Sequence, residues 1–447
     1  MNKKKKRGKK PGGLRCLLLL FMLSALSGCG TVSDTLEDFA YTVGSFTEDA
    51  IDDLAARLRY RDEDDRYIIN VVEEELPQTV ITINDEDFVS AGNSAKLSGN
   101  ALRGLRLNEL SSIVDNYAYA MISDEERVIY DEVYDLLVTF KEDMILSTVD
   151  TDLIDHAFTC VLIDHPEIYY IKGYTIKTYT RDGVIEKITM NGTYTMTQTQ
   201  VLEMLSELES YYQACLSTIP EGSDDYEKVK AVYEYIIRST EYDLHAPNNQ
   251  NVLSVFVGHR SVCQGYAKAT QYILNRLGIF CTLVEGTVKG TEAHVWNVVR
   301  LNGEYYHVDT IWGDASYKLV SDYDKEVVDL KQPEINYDYL CITTDAILKT
   351  HSIKEIVPLM DCSSIESNYY VREGLYFTYI DDDGLKRAFD NAYANMDLTI
   401  TLKCSDETVY AEMTEYLLEN QKIFRYLVNT SVSYVTVDDQ NELIFYL

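Results

Sequence analysis

From Ser123 onward the apolar residues fall into two spacings. Val128, Tyr130, Val133, Leu136 and Leu137 recur at helical intervals, with Ser123 placed to cap them. A second helix ends before Asp164-His165-Pro166, and a third covers about Gln200 to Leu216. A fourth, led by Asp224, sets Val229, Val232, Tyr233, Ile236 and Ile237 on one stripe, as a helix packed on a core requires. Between the second and third lie strand-like runs, Ile168 to Ile171 and Tyr174 to Tyr179, then an Asp182-Gly183 turn before Val184 to Met190. The segment from Ser261 to Asp314 is patterned most strongly. Ala267, Thr270, Ile273, Leu274 and Leu277 form a helical stripe, with Gly278 where a C-cap glycine belongs. Ile279 to Gly286 and His294 to Leu301 read as strands, and Asn302-Gly303 joins the latter to Glu304–Asp309 as a hairpin. From about His351 strand and helix patterns alternate, closing on a hairpin of Ser431–Val437 and Glu442–Leu447 around Asp438-Asp439. Helices and antiparallel pairs that follow one another in this way describe an α+β chain.

The N-terminal segment follows a different rule. Eight of the 40 basic residues lie in the first 15 positions, followed by the apolar run Cys16 to Leu26 and then Ser27-Gly28-Cys29. Eleven residues are too few to cross a hydrocarbon core about 30 Å thick as a helix. Basic, apolar and small-residue regions in that order describe a secretory signal peptide. Leu26-Ser27-Gly28-Cys29 resembles the bacterial lipobox, which implies lipidation of Cys29 and anchoring on the outer side of a bacterial membrane, the cytoplasmic membrane or an outer one. Residues 30–110 are acidic, then rich in Gly and Ser around Ser90 to Gly104, and read as a spacer. The net charge of −33 argues against a nucleic-acid partner, since phosphate contacts need clustered Lys and Arg.

Nine cysteines occur without a CxxC pair. Removing Cys16 and Cys29 leaves seven, so at least one thiol stays unpaired. Cys160, Cys215, Cys281 and Cys341 sit in apolar periodic stretches, as buried small hydrophobes do. Cys263 instead opens a helix, where the backbone N–H groups and the helix dipole favour a thiolate. Gly265, two residues on, is read as leaving room for a substrate backbone, and Gln264 as standing beside it. An imidazole near the thiol, that of His294, can take its proton and later protonate a leaving amine. If Asn302 and Gly303 are the turn residues, Leu301 faces Glu304 and Trp296 faces Asp309. His294 then shares a sheet face with Asp309 as its diagonal neighbour, within reach of a side-chain hydrogen bond that would fix the tautomer. A one-residue slip would undo this.

Ser261-Val262-Cys263-Gln264-Gly265-Tyr266-Ala267, His294-Val295-Trp296-Asn297 and His307-Val308-Asp309 with Trp312 and Asp314 resemble the core of the transglutaminase-like superfamily. The resemblance is specific over about 224–314 and looser around Asp164-His165-Pro166-Glu167 and Tyr242-Asp243. It implies a papain-like fold, a Cys-bearing helix packed on an antiparallel sheet. It also implies Cys263 as nucleophile, His294 as base and Asp309 as the orienting carboxylate. The domains expected are a signal peptide over 1–29, the spacer over 30–110, a transglutaminase-like domain over 111–350 and a small α+β domain over 351–447. Trp296 and Trp312 are candidates for cleft walls or core. His307 with His294 and Cys263 lacks a close ligand pair, so no metal and no cofactor are expected. His156, His165, His245, His259 and His351 read as structural or surface residues, and Asp381-Asp382-Asp383-Gly384 as a turn. The expected function is a thioester-forming thiol enzyme that hydrolyses a peptide, a protein or cell-wall peptide. The alternatives are amine acyl transfer (crosslinking) and a non-catalytic anchored binding protein.

Overall fold

The structure, a computed structural model, describes residues 116–288, 290, 292–314 and 334–447, together with the backbone of 68–75. The signal segment, Cys29 and most of the spacer lie outside the described residues. Within the segment read as a spacer, residues 68–75 form strand β1 (Ile68–Glu75). Its sequence, Ile68-Ile69-Asn70-Val71-Val72, is rich in the β-branched residues that favour extended backbone.

Helices α1 (Tyr117–Met121) and α2 (Asp124–Thr139) come next. Ser123 caps α2 through a reciprocal capping box with Glu126. Strand β2 (Met144–Ile145) and helix α3 (Thr151–Asp164) lead to the long hairpin β3 (Ile171–Arg181) and β4 (Val184–Tyr194), with Asp182 and Gly183 both at positive φ in its turn. Residues 168–170, read as strand, precede β3 rather than belonging to it. These strands form a sheet ordered β1-β3-β4-β2, in which β1 runs parallel to β3. The Asp164-His165 stretch braces the fold. The buried Asp164 carboxylate accepts the Ala118 and Tyr119 N–H groups and the Tyr130 hydroxyl, each at 2.9 Å, and so holds the start of α1.

Helices α4 (Gln198–Leu216) and α5 (Asp225–Ser239) follow, then the short strand β5 (Glu241–Tyr242), helix α6 (Val252–Phe256) and strand β6 (Arg260–Ser261). Helix α7 (Cys263–Arg276) is central. It packs against α5 and α6 and against the first two strands of the hairpin series β7 (Cys281–Val288), β8 (Glu292–Leu301) and β9 (Glu304–Val308). That position explains why Lys268 and Gln271 are buried along with Ile273 and Leu274. Gln271 donates to the Ile163 carbonyl at 2.7 Å, tying α7 to the end of α3. The sheet continues past the one-turn helix α8 (Thr310–Gly313) with β10 (Leu340–Ile342) and, after the short helix α9 (Thr344–Ile347), β11 (His351–Lys354), in the order β10-β9-β8-β7-β11.

The boundary expected at 350/351 therefore cuts through this sheet. β11 pairs with β7, and Val357 and Cys362 still belong to the first apolar core. A second core begins near Phe377. After helix α10 (Tyr369–Arg372) it is built on β12 (Tyr376–Phe377), β13 (Thr399–Cys404), β14 (Ser433–Val437) and β15 (Glu442–Tyr446), with helices α11 (Asp382–Asn395) and α12 (Glu407–Thr414). Asp381-Asp382-Asp383-Gly384 opens α11 rather than forming a free turn. Acidic residues suit a helix N-terminus because they complement its dipole. Among the described residues no helix is long and apolar enough to cross a membrane.

Candidate active site

The register of β8 and β9 is the one the Asn302-Gly303 turn demands. Leu301 pairs with Glu304 and Asn297 with Val308, while Asn302 and Gly303 both take positive φ. His294, Trp296, His307 and Asp309 consequently share one face of the sheet. Asp309 lies one residue beyond β9, where it caps α8: its Oδ1 accepts the N–H groups of Ile311 and Trp312, both at 3.1 Å. Its Oδ2 lies 2.6 Å from His294 Nε2. The second ring nitrogen of His294 is thereby left free of Asp309, and Cys263 lies near enough to the ring to raise its proton affinity.

Electrostatics follow from that arrangement. Burial alone would lower the pKa of the His294 ring. The Asp309 carboxylate and the Cys263 contact outweigh it and push the ring up to about 10. Burial would raise Asp309, but its two imidazole partners hold it well below the usual carboxylate range. The seven described cysteines are all free, and six are buried. Burial pushes Cys160, Cys215, Cys362 and Cys404 up to about 12. Cys263 is the partly exposed one, at the first turn of α7, where Val262 supplies no side-chain cap.

The candidate cleft residues divide. Gln264 is partly exposed beside Cys263. Gly265, expected to leave space for a substrate, faces the protein's own interior: a Cβ there would stand 1.9 Å from Ser261 Oγ and 2.9 Å from the Asn249 carbonyl. Trp296 is buried and lies nearly parallel to the His294 ring, 5.9 Å between centroids, as a platform and not a cleft wall. Its indole N–H donates to His307 Nδ1 at 3.0 Å. Trp312 stands edge-on to His294 at 6.4 Å and is 9% exposed.

Two residues of the site are given no role by the sequence: Asn297, which closes the resembling motif His294-Val295-Trp296-Asn297, and His351. Asn297 donates to the Ala267 carbonyl at 3.0 Å, fastening the Cys-bearing helix to β8. His351, read as structural or surface, is buried at the site, with Nε2 3.0 Å from Asp309 Oδ2. His307 is engaged by Trp296 and Thr344, and burial followed by the nearby His351 pushes it down to about 4. Among the described residues, the ligating atoms near enough to share a cation belong to His294, Asp309 and His351, within 4.8 Å of one another. Their 2.6 and 3.0 Å separations are hydrogen-bond lengths, shorter than the roughly 3.3 Å between ligands on a tetrahedral zinc at about 2 Å.

Parts of the chain are similar to known proteins. Kyphoscoliosis peptidase of Mus musculus is 24% identical over 148 residues, covering 30% of this chain and 21% of that protein. The Homo sapiens protein of the same name is 26% identical over 113 residues, covering 22% and 17%. The chain thus spans about a fifth of the length of these relatives. Among solved structures, a TGase shares 13% identity over 36% of this chain and 53% of its own, with a TM-score of 0.23. A candidate cysteine protease from Cytophaga hutchinsonii shares 14% over 30% and 61%, with a TM-score of 0.21. Residues 214–310, which hold Cys263, His294 and Asp309, match the family model of the Transglutaminase-like superfamily, and this α+β chain carries a transglutaminase-like core.

Proposed function

We propose that the protein is a thiol enzyme that cleaves amide bonds of a peptide or protein, cell-wall peptide included. The observation that carries the reading is a partly exposed thiol beside a buried imidazole whose Nε2 a carboxylate holds at 2.6 Å. Cys263 Sγ attacks the carbonyl carbon, and N–H groups at the start of α7 receive the developing oxyanion. His294 holds the proton taken from that thiol and gives it to the departing nitrogen as the C–N bond breaks, leaving a thioester. Water then adds to the thioester, His294 takes its proton, and the C–S bond breaks to release the acid. Asp309 keeps the ring oriented through both steps. An amine in place of water would give a crosslink; the sequence carries no mark of an amine-binding site, so hydrolysis is preferred.

Iodoacetamide labelling read by peptide mass spectrometry tests the chemistry. Cys263 should label fastest of the free thiols, and His294→Ala should slow it; labelling indifferent to His294 would leave a binding protein. Incubation with a labelled primary amine and Gln-containing peptides then separates transfer from hydrolysis. We also propose that lipid on Cys29 anchors the enzyme to the outer side of a bacterial membrane. Cys29→Ala should move the protein from the detergent phase to the aqueous phase, and an unchanged partition would sink that part alone.

A further inference from the structure

His351 lies 41 residues beyond the matched core segment, on the opposite edge of the sheet from β10, yet it reaches the same carboxylate as His294. Its ring is buried between Trp296 at 5.1 Å, Trp312 at 4.9 Å and Tyr339 at 5.8 Å, so water does not compete for its nitrogens. Nε2 meets Asp309 Oδ2 at 3.0 Å, and Nδ1 meets the Thr350 hydroxyl at 2.7 Å. The Thr350 hydroxyl has a longer alternative, the Ile347 carbonyl at 3.4 Å, so its proton belongs on the shorter contact, to Nδ1. Nε2 is then the N–H donor. Among the described residues Asp309 accepts four hydrogen bonds, two from backbone N–H groups on Oδ1 and one from each imidazole on Oδ2.

We propose that His351 is a positioning residue of this site: it donates Nε2–H to Asp309, keeps that carboxylate anionic and aimed, and so holds the second ring nitrogen of His294 toward Cys263. The proposal rests on the enzyme reading above. Any buried imidazole needs its nitrogens satisfied; what points to positioning is that Nε2 meets the same Asp309 oxygen that holds His294, and a buried carboxylate that lost one of four donors would be freer to turn and to take up a proton.

The test compares full-length wild type with His351→Leu, which removes both nitrogens, and His351→Gln, whose amide can still donate to Asp309. One readout is the far-downfield proton resonance of the His294–Asp309 hydrogen bond, assigned by its loss in His294→Ala. The other is the rate of Cys263 alkylation. In His351→Leu the resonance should shift or broaden, and alkylation should slow on the order of tenfold, as the loss of one hydrogen bond to a buried charged group would give. His351→Gln should restore most of both. An unmoved resonance and rate in His351→Leu would overturn the proposal, as would equal losses in the Leu and Gln variants. If His351→Leu does not fold, Thr350→Val carries the test, because removing the hydroxyl on Nδ1 frees the tautomer; an unmoved resonance there counts against the proposal. An unreactive Cys263 in the wild type would defeat the enzyme reading, while the resonance would still decide the role of His351.

Discussion

His294 is where opposing forces meet most directly. Its ring is buried, which disfavours charge, yet Asp309 and Cys263 push it from 6.5 up to about 10. The folded protein therefore binds this proton more tightly than the unfolded chain. The resulting stabilisation is complete below pH 6.5 and is lost as pH rises from 6.5 to about 10. Each tenfold change in proton affinity is worth about 1.4 kcal/mol, so the loss amounts to several kcal/mol. Urea unfolding of wild type and His294→Ala across that window should show the gap between them narrowing as pH rises. A gap independent of pH would mean that the folded ring is neutral. Asp309 works in the opposite sense. Held below the ordinary carboxylate range, it contributes above the unfolded value of 3.8, and the contribution disappears as pH falls further.

Helix α7 brings its thiol to His294 because its first turn is wedged against the chain that precedes it. Ser254 Oγ and Ser261 Oγ lie 2.6 Å apart, and Ser261 Oγ donates to the Asn249 carbonyl at 3.0 Å, beneath Gly265. Glycine inside a helix ordinarily costs about 1 kcal/mol relative to alanine, so Gly265→Ala would be stabilising on propensity alone. Here the added methyl has no room, and overpacking of this kind costs about 1–3 kcal/mol. Gly265→Ala should lower the thermal midpoint in calorimetry, and Ser261→Gly in the same chain should recover part of the loss. A midpoint that rises would place the helix start elsewhere. The same elements show what a sequence discloses. Local signals are legible: Ser123 and Asp224 cap their helices, Gly278 takes φ +82 at a helix end, and Asn302-Gly303 sets the register that puts His294 with Asp309. The crowding around Gly265 is not, because Asn249 and Ser254 reach it through a loop and a short helix that carry no pattern pointing there. His351 is hidden for a related reason. It meets Asp309 only because β11 pairs with β7, a contact between edges that no turn residue specifies.

On the scale of the whole molecule, the two apolar cores meet across a small set of charges. Asp338, in the turn of 3-10 helix Tyr337–Tyr339 that leads into β10, accepts from the Tyr370 hydroxyl at 2.6 Å. Lys403 of β13 and Glu442 of β15 are direct strand partners, with Lys403 Nζ 2.5 Å from Glu442 and 4.0 Å from Asp338. In a chain of net charge −33 most carboxylates can stay hydrated, but Glu442 is only 2% exposed. Burial and the neighbouring Asp338 push it up to about 9, and Lys403 opposes them only in part. A folded value above the unfolded 4.5 means that folding favours the protonated acid. The cost of ionising Glu442 is thus absent below pH 4.5 and grows as pH rises toward 9. Glu442→Gln keeps the shape without the titration. At constant ionic strength, so that screening of the surface charge stays fixed, its stability relative to wild type should improve from pH 5 to pH 9, by a few kcal/mol. Thermal unfolding at pH 5, 7 and 9 measures the change. A wild type that gains on Glu442→Gln as pH rises would show that the Lys403 pair holds Glu442 ionised, and that this junction is bound by a salt bridge instead of a protonated acid.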